Sequence, residues 1–293
     1  MIVTIHNDQL TLTADTLGAQ MQSITSYKGT EYLWNGDERY WKGRAPVLFP
    51  FVARLKDKTY TVNGGTYQMK IHGFASACEF EVAEQTESRV TFVLRDNEVT
   101  RAQFPFAFLF KVRYALKEST VEVTYTVDNP EDEMLHFGLG GHPGFNVPLK
   151  EGTSFEDYYL RFSQPCEPDR VGFSSEILVS GVDKRYELEG GQIIRLRHDL
   201  FDHDAIVLKN MAKSVTIASD KTKRYVTVSY PQMPYVGFWH AERKDAPYVC
   251  IEPWVSLPAR DGVVEDFACK GDLIHLPGHG SYENTWYITI GEE

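Results

Sequence analysis

The sequence lacks most of the devices that would tie a chain to metals, membranes or nucleic acids. Its 293 residues hold only four cysteines, Cys78, Cys166, Cys250 and Cys269, far apart and with no CxxC pair and no Cys/His cluster. Such spacing supports neither a zinc site nor a disulfide framework. No apolar run reaches membrane-spanning length, and the amino terminus begins directly on a strand-like Ile2-Val-Thr-Ile-His6 instead of a basic segment followed by an apolar one. Both absences argue against a membrane partner and make the cytoplasm the expected compartment. Basic residues form no stripe: 30 lysines and arginines are scattered among 41 aspartates and glutamates, for a net charge of −11. An acidic surface repels phosphodiester backbones, which excludes a nucleic-acid partner and favours a neutral ligand, although a single pocket can depart from the net charge. There is no phosphate-cradling glycine loop either, so neither a nucleotide cofactor nor a metal is expected.

Helical periodicity is the next absence. No window of a dozen residues carries an apolar stripe at helical spacing with caps, and only short turns around residues 98–103 and 200–203 fit. What is abundant is aromatic and alternating: 17 Phe, 16 Tyr and 5 Trp suit pleated surfaces. Period-two patterns mark strands at residues 2–7, 10–14, 89–95, 106–116, 120–128, 158–162, 192–197, 205–209, 214–218, 225–229, 236–240, 248–252 and 282–290. Residues 60–63 and 66–69 flank Gly64-Gly65, a hairpin signal because both glycines accept positive φ. Many short strands with turns between them, no fixed repeat and no linker predict one all-β domain over residues 1–293, a large antiparallel β-sandwich.

Five segments set polar, chemistry-bearing side chains among apolar or glycine-rich neighbours. Arg54 ends the apolar run from Pro46, either as a strand-end charge in solvent or as a planar donor fork for ligand hydroxyls. His72 stands beside Gly73, as a structural hydrogen-bonder or next to a close-approaching ligand. In Gly138-Leu-Gly-Gly-His-Pro-Gly-Phe-Asn146, the glycines and Pro143 break any continuous strand. That segment is either an ordinary turn or a bend that presents His142 and Asn146. Asp202, His203 and Asp204 precede an apolar strand as turn formers or ligands. Glu252 closes an apolar run before Pro253 and Trp254; its carboxylate must be at a strand end, paired or functional, because burying it alone is too costly. Trp254 offers an apolar face on which a sugar ring can stack.

These five segments, in this order, resemble the aldose 1-epimerase (galactose mutarotase-like) family, and within it the LacX-type branch. The resemblance rests on Phe49-Pro-Phe-Val-Ala-Arg54, His72-Gly-Phe-Ala75, Gly141-His-Pro-Gly-Phe-Asn146, His203-Asp-Ala-Ile206 and Cys250-Ile-Glu-Pro-Trp254, and runs from Leu17-Gly-Ala-Gln20 to Thr285-Trp-Tyr-Ile288. It implies a two-layer sandwich with a sugar in an open groove, acid/base interconversion of hexose anomers, and no cofactor. It also implies His142 as acid toward the ring oxygen, Glu252 as base at the C1 hydroxyl, and His72 as the second histidine. Arg54 and Asp204, or Asp202 in its place, would hold hydroxyls, with Asn146 and Trp254 completing the substrate contacts. His142 would start protonated and Glu252 ionised, with nearby carboxylates raising the histidine pKa. Ala53 stands where galactose mutarotases carry asparagine, and the segment after Glu252 is shorter, which leaves the sugar open. Three other readings remain: a hexose-6-phosphate 1-epimerase using Arg44, Lys56 and Lys58, a non-catalytic sugar-binding or sensor protein, and a glycosidase pairing Glu252 with Asp204. Nothing in the sequence addresses oligomeric state.

Overall fold

Alternation along each strand decides which face is buried. In the strand Thr120–Asp128, the side chains of Val121, Val123, Tyr125 and Val127 point inward and are buried. On the outer face, hydroxyls pair across strands: Thr120 with Thr289 at 2.9 Å, Thr124 with Thr285 at 3.0 Å and Thr216 with Thr227 at 2.8 Å. One apolar and one hydroxyl-rich face is the usual division in an antiparallel sheet that covers a core on one side.

A computed structural model describes residues 1–292. It has a nine-stranded antiparallel sheet in the spatial order Ile193–Arg195, Tyr158–Phe162, Ser214–Ser219, Thr222–Ser229, Ser281–Gly291, Thr120–Asp128, Leu109–Lys117, Arg89–Arg95, Glu81–Gln85. An eight-stranded antiparallel sheet packs over it; its centre runs Ile206–Lys209, Tyr235–Trp239, Tyr248–Trp254, Gly140–Gly141, Val47–Leu48, and Gly144–Asn146 also pairs with Tyr248–Trp254. The apolar cluster between the layers takes Tyr114, Val123 and Trp286 from the first sheet and Leu208, Phe238 and Ile251 from the second, and it extends from Val3 to Ile290. Smaller sheets, including the hairpins of Ile2–His6, Leu10–Asp15 and Gln20–Ser26, close the edges. The architecture is the all-β sandwich expected from the sequence. Among the described residues no helix is long and apolar enough to cross a membrane.

The glycine hairpin differs from expectation by one residue. Its strands are Thr59–Val62 and Gly65–Gln68, and the turn is Asn63-Gly64, both at positive φ (51° and 75°). Asparagine tolerates the left-handed region well enough to supply the first turn position, which frees Gly65 for the strand. The strand at 248 also runs further than predicted, to Trp254, through Pro253. The proline is accommodated because the neighbouring chain leaves the ladder there: between Gly140–Gly141 and Gly144–Asn146 it detours at His142-Pro143.

Candidate active site

Every residue of Tyr248–Trp254 is buried, because this strand has covered surfaces on both faces. Val249 and Ile251 enter the main core, whereas Tyr248, Cys250 and Trp254 belong to apolar clusters on the opposite face. Period two therefore places Glu252 on that opposite, concave face. The detour beside it brings His142 to the same point, with Nε2 3.3 Å from Glu252 Oε2. Trp41 stacks on the imidazole (ring centroids 4.9 Å apart, planes at 28°) and Trp239 meets it edge-on at 5.7 Å. The Trp34 indole N–H anchors this wall by donating to the Trp41 carbonyl at 2.8 Å.

His72 reaches the site through a reciprocal clasp. Its backbone N–H donates to the Ala53 carbonyl at 3.0 Å, and the Ala53 N–H donates to His72 Nδ1 at 3.2 Å. An accepting Nδ1 leaves Nε2 as the protonated nitrogen of a neutral ring. Gly73 makes this approach possible: at φ +77°, an added Cβ would stand 2.2 Å from the Phe49 carbonyl oxygen. The rings of His72 and His142 meet edge to face at 5.4 Å. Three residues of this rim, Ala53, His72 and Asp204, lie in the left-handed region without being glycine (φ 59°, 65° and 71°). Such backbone costs roughly 1 kcal/mol or more per residue and persists only where its surroundings fix it, a pattern concentrated at functional sites.

Together these groups line a cavity of about 550 Å³ that includes Arg54, His72, His142, Asp204, Glu252 and Trp254. Arg54 Nη2 lies 3.9 Å from Asp204 Oδ2, with the guanidinium about half exposed. Asp202 does not line this cavity, so the structure separates the two aspartates. Asn146 is a correction to the sequence reading: it is outside the cavity, and its amide donates to the carbonyls of Glu31 and Leu33 at 3.1 and 3.0 Å, tying an outer loop to its strand. Arg44, Lys56 and Lys58 are also outside. Arg44 donates to the Gln22 carbonyl and Lys56 pairs with Glu176 at 2.9 Å. The group touching Glu252 is His142, and Asp204 lines the same cavity. Trp41, Trp239 and Phe173, which also line the cavity, carry no sequence signal beyond being aromatic.

The electrostatics reverse one expectation. Burial, and then neighbouring His72, holds His142 well below the usual histidine pKa, while burial and then Asp204 pushes Glu252 well above the usual carboxylate range. Burial also brings His72 down to about 4, helped by Arg54. Desolvation dominates at His142, because nine-tenths of its side chain is out of water. His142 Nδ1 and Glu252 Oε1 are both buried without a hydrogen-bond partner. The fold also gathers what the spacing did not, bringing ligand atoms of Cys250, His142 and Glu252 within 4.8 Å of one another. Burial, and then Glu252, raises the Cys250 thiol pKa well above its usual value.

Comparison with known proteins gives the class. The family model described as aldose 1-epimerase matches residues 1–259, and the chain belongs to the aldose 1-epimerase family. Its relatives include Protein LacX of Lactococcus lactis subsp. lactis, 33% identical over 266 residues and covering 88% of each chain. A galactose mutarotase related enzyme from Lactobacillus acidophilus superposes with a TM-score of 0.95 at 34% identity, covering 100% of this chain and 98% of the other. A galactose mutarotase-like protein from Lactobacillus casei gives 0.92 at 31% identity, covering 99% and 100%.

Proposed function

We propose that the protein interconverts the α and β anomers of an aldohexose by opening and reclosing its ring. The buried His142–Glu252 contact at 3.3 Å carries this reading. Ring opening needs one proton removed from O1 and one delivered to O5, and these oxygens share C1. The two protein groups must therefore be neighbours facing one carbon.

Glu252 takes the O1 proton as the C1=O bond forms. The C1–O5 pair of electrons passes to O5, which receives a proton from His142. Rotation about C1–C2 exposes the other carbonyl face, and the steps reverse. Burial penalises a lone charge on either group, so the pair holds a single proton across neutral pH. The imidazolium–carboxylate and imidazole–carboxylic acid arrangements have the same total charge, and ring opening turns the first into the second. Burial favours the second, the arrangement that exists while the sugar is open. Direct contact between Nε2 and Oε2 gives the proton a path back.

Arg54 and Asp204 hold hydroxyls at the cavity rim, and Trp254 offers an apolar face. Arg54→Ala is expected to raise KM about tenfold or more with a smaller change in kcat, because its contacts are made equally in ground and transition states. Steady-state kinetics on one aldose check this; an equal fall in kcat would place Arg54 in the chemistry instead.

NMR exchange spectroscopy over free and 6-phosphorylated aldoses tests the function itself. Exchange above the buffer rate, unaffected by exhaustive chelation, is expected for at least one aldohexose. Sugar binding without exchange for every aldose would establish a binding protein. Activity lost on chelation and restored by one metal would bring Cys250 and its neighbours into the chemistry.

A further inference from the structure

Two further histidines, His198 and His240, meet outside the catalytic cavity and line no part of it. His240 is fully buried and directly follows the strand Tyr235–Trp239, whose Trp239 lines the cavity. Its Nδ1 lies 2.8 Å from the Ala241 carbonyl oxygen and its Nε2 3.2 Å from His198 Nδ1. A carbonyl only accepts, so His240 carries its hydrogen on Nδ1. Burial keeps this ring neutral, with its pKa held down to about 4. Nε2 is then a bare acceptor, and the hydrogen between the rings belongs to His198 Nδ1. The direction of the bond is thereby fixed: His198 donates and His240 accepts. Phe155 stacks on the His198 ring, with centroids 4.1 Å apart.

We propose that His198 and His240 are positioning residues of the sugar site, whose hydrogen bond holds the turn bearing Asp204 against the wall bearing Trp239 and Trp41. The inference rests on the epimerase reading above. On one side, His198 begins the short 3-10 helix His198–Phe201 that leads into Asp202-His203-Asp204. Phe201, at its end, meets the His240 ring edge-on at 4.5 Å, and its carbonyl accepts the Asp204 N–H at 3.2 Å. Asp204 therefore takes its left-handed backbone (φ 71°) from a turn anchored at His198 and Phe201. Arg54, at 3.9 Å, is too far away to fix the carboxylate by a hydrogen bond. On the other side, the Ala241 residue that accepts from His240 also donates its N–H to Tyr248 Oη at 3.0 Å. Tyr248 stacks on Trp34 at 4.5 Å, and Trp34 anchors Trp41 over His142. One hydrogen bond between two rings thus joins the turn that holds sugar hydroxyls to the aromatic wall around the acid. Breaking it frees the turn without touching His142 or Glu252, so contacts in the ground and transition states weaken together.

Anomer-exchange kinetics on an aldohexose, with thermal melting of every variant, test the pair. Changes are made at His198, which is only partly buried, because a variant of the fully buried His240 can fail to fold. His198→Phe keeps a ring on Phe155 and removes the donor; it should raise KM about fivefold or more and keep kcat within about twofold. His198→Asn places an amide N–H where Nδ1 stood and should bring KM back within about twofold of the wild type. In an Asp204→Ala background, His198→Phe should change KM by less than about twofold, because the contact it acts through is already gone. A lower Tm with reduced kcat at unchanged KM would make the pair a structural contact only and overturn the inference. So would full addition of the His198→Phe effect to that of Asp204→Ala, or a His198→Asn variant no better than His198→Phe. Those outcomes leave the epimerase reading standing; a wild type that exchanges no aldose overturns the function and the positioning role together.

Discussion

Glu252→Gln lowers kcat for anomer exchange by at least about 100-fold, and His142→Asn does the same, if the pair works as proposed. Glutamine keeps the shape of the side chain and a hydrogen bond to the imidazole but cannot take up a proton. Asparagine keeps a polar group and cannot supply one. Because both groups act in one ring-opening step, the double variant should fall well short of the product of the two losses. Sugar affinity should change far less, since Arg54, Asp204 and Trp254 remain at the rim. Stability offers a control. Burial already holds the Glu252 carboxyl toward its neutral form, so a neutral amide of equal size should leave Tm unchanged or slightly higher. Near-normal exchange by either variant, on a sugar that the wild type turns over, would remove that residue from the chemistry.

Stability should fall steeply as pH drops from about 6.5 toward 4, earlier than carboxylate titration alone would cause. His72 and His240 are each held down to about 4, chiefly by burial, while an unfolded chain protonates its histidines near 6.5. The unfolded state therefore binds protons that the folded state refuses. The stabilisation is complete above 6.5 and is lost as pH falls through the window to the folded value. Linkage puts the loss from His72 alone at roughly 2 kcal/mol by pH 5. His142 and Glu252 oppose one another, because the raised Glu252 pKa favours folding at lower pH, so the pair adds little between 4.5 and 6.5. Urea unfolding at steps from pH 7 to 4.5 measures the slope, and His72→Gln with His240→Gln should flatten it. A wild-type profile level down to pH 5 would mean that these rings protonate inside the fold.

The fold was legible because strand alternation is a local property. The strands Arg89–Arg95, Thr120–Asp128 and Tyr158–Phe162 match their sequence pattern to the residue. Two-residue strands such as Val47–Leu48 and Asp169–Arg170 left no trace, because two residues carry no period. The candidate site was legible in part. His142, Glu252, His72, Arg54, Asp204 and Trp254 converge on one cavity, and their resemblance to a family ordered them where spacing alone did not. Asn146 was misread because side-chain amides serve backbone carbonyls as readily as they serve ligands. Trp41 escaped notice because stacking on His142 arises from chain crossings a hundred residues apart. The neutral preference of His142 was equally hidden, since desolvation depends on everything packed around a group rather than on its neighbours in sequence.

The strand Ser281–Gly291 lies in the interior of the nine-stranded sheet, bonded to Thr222–Ser229 on one side and Thr120–Asp128 on the other. It is the latest strand in chain order, so a growing chain carries both flanking strands into existence before their shared partner leaves the ribosome. For that interval each presents a row of unpaired amides and carbonyls beside apolar Val121, Val123, Val226 and Val228, a template for another nascent copy. The two halves of the sheet therefore join only after that strand has been made. The interval before that strand arrives is when the chain most needs a chaperone or dilution, and slowing translation would lengthen it without helping the fold to form.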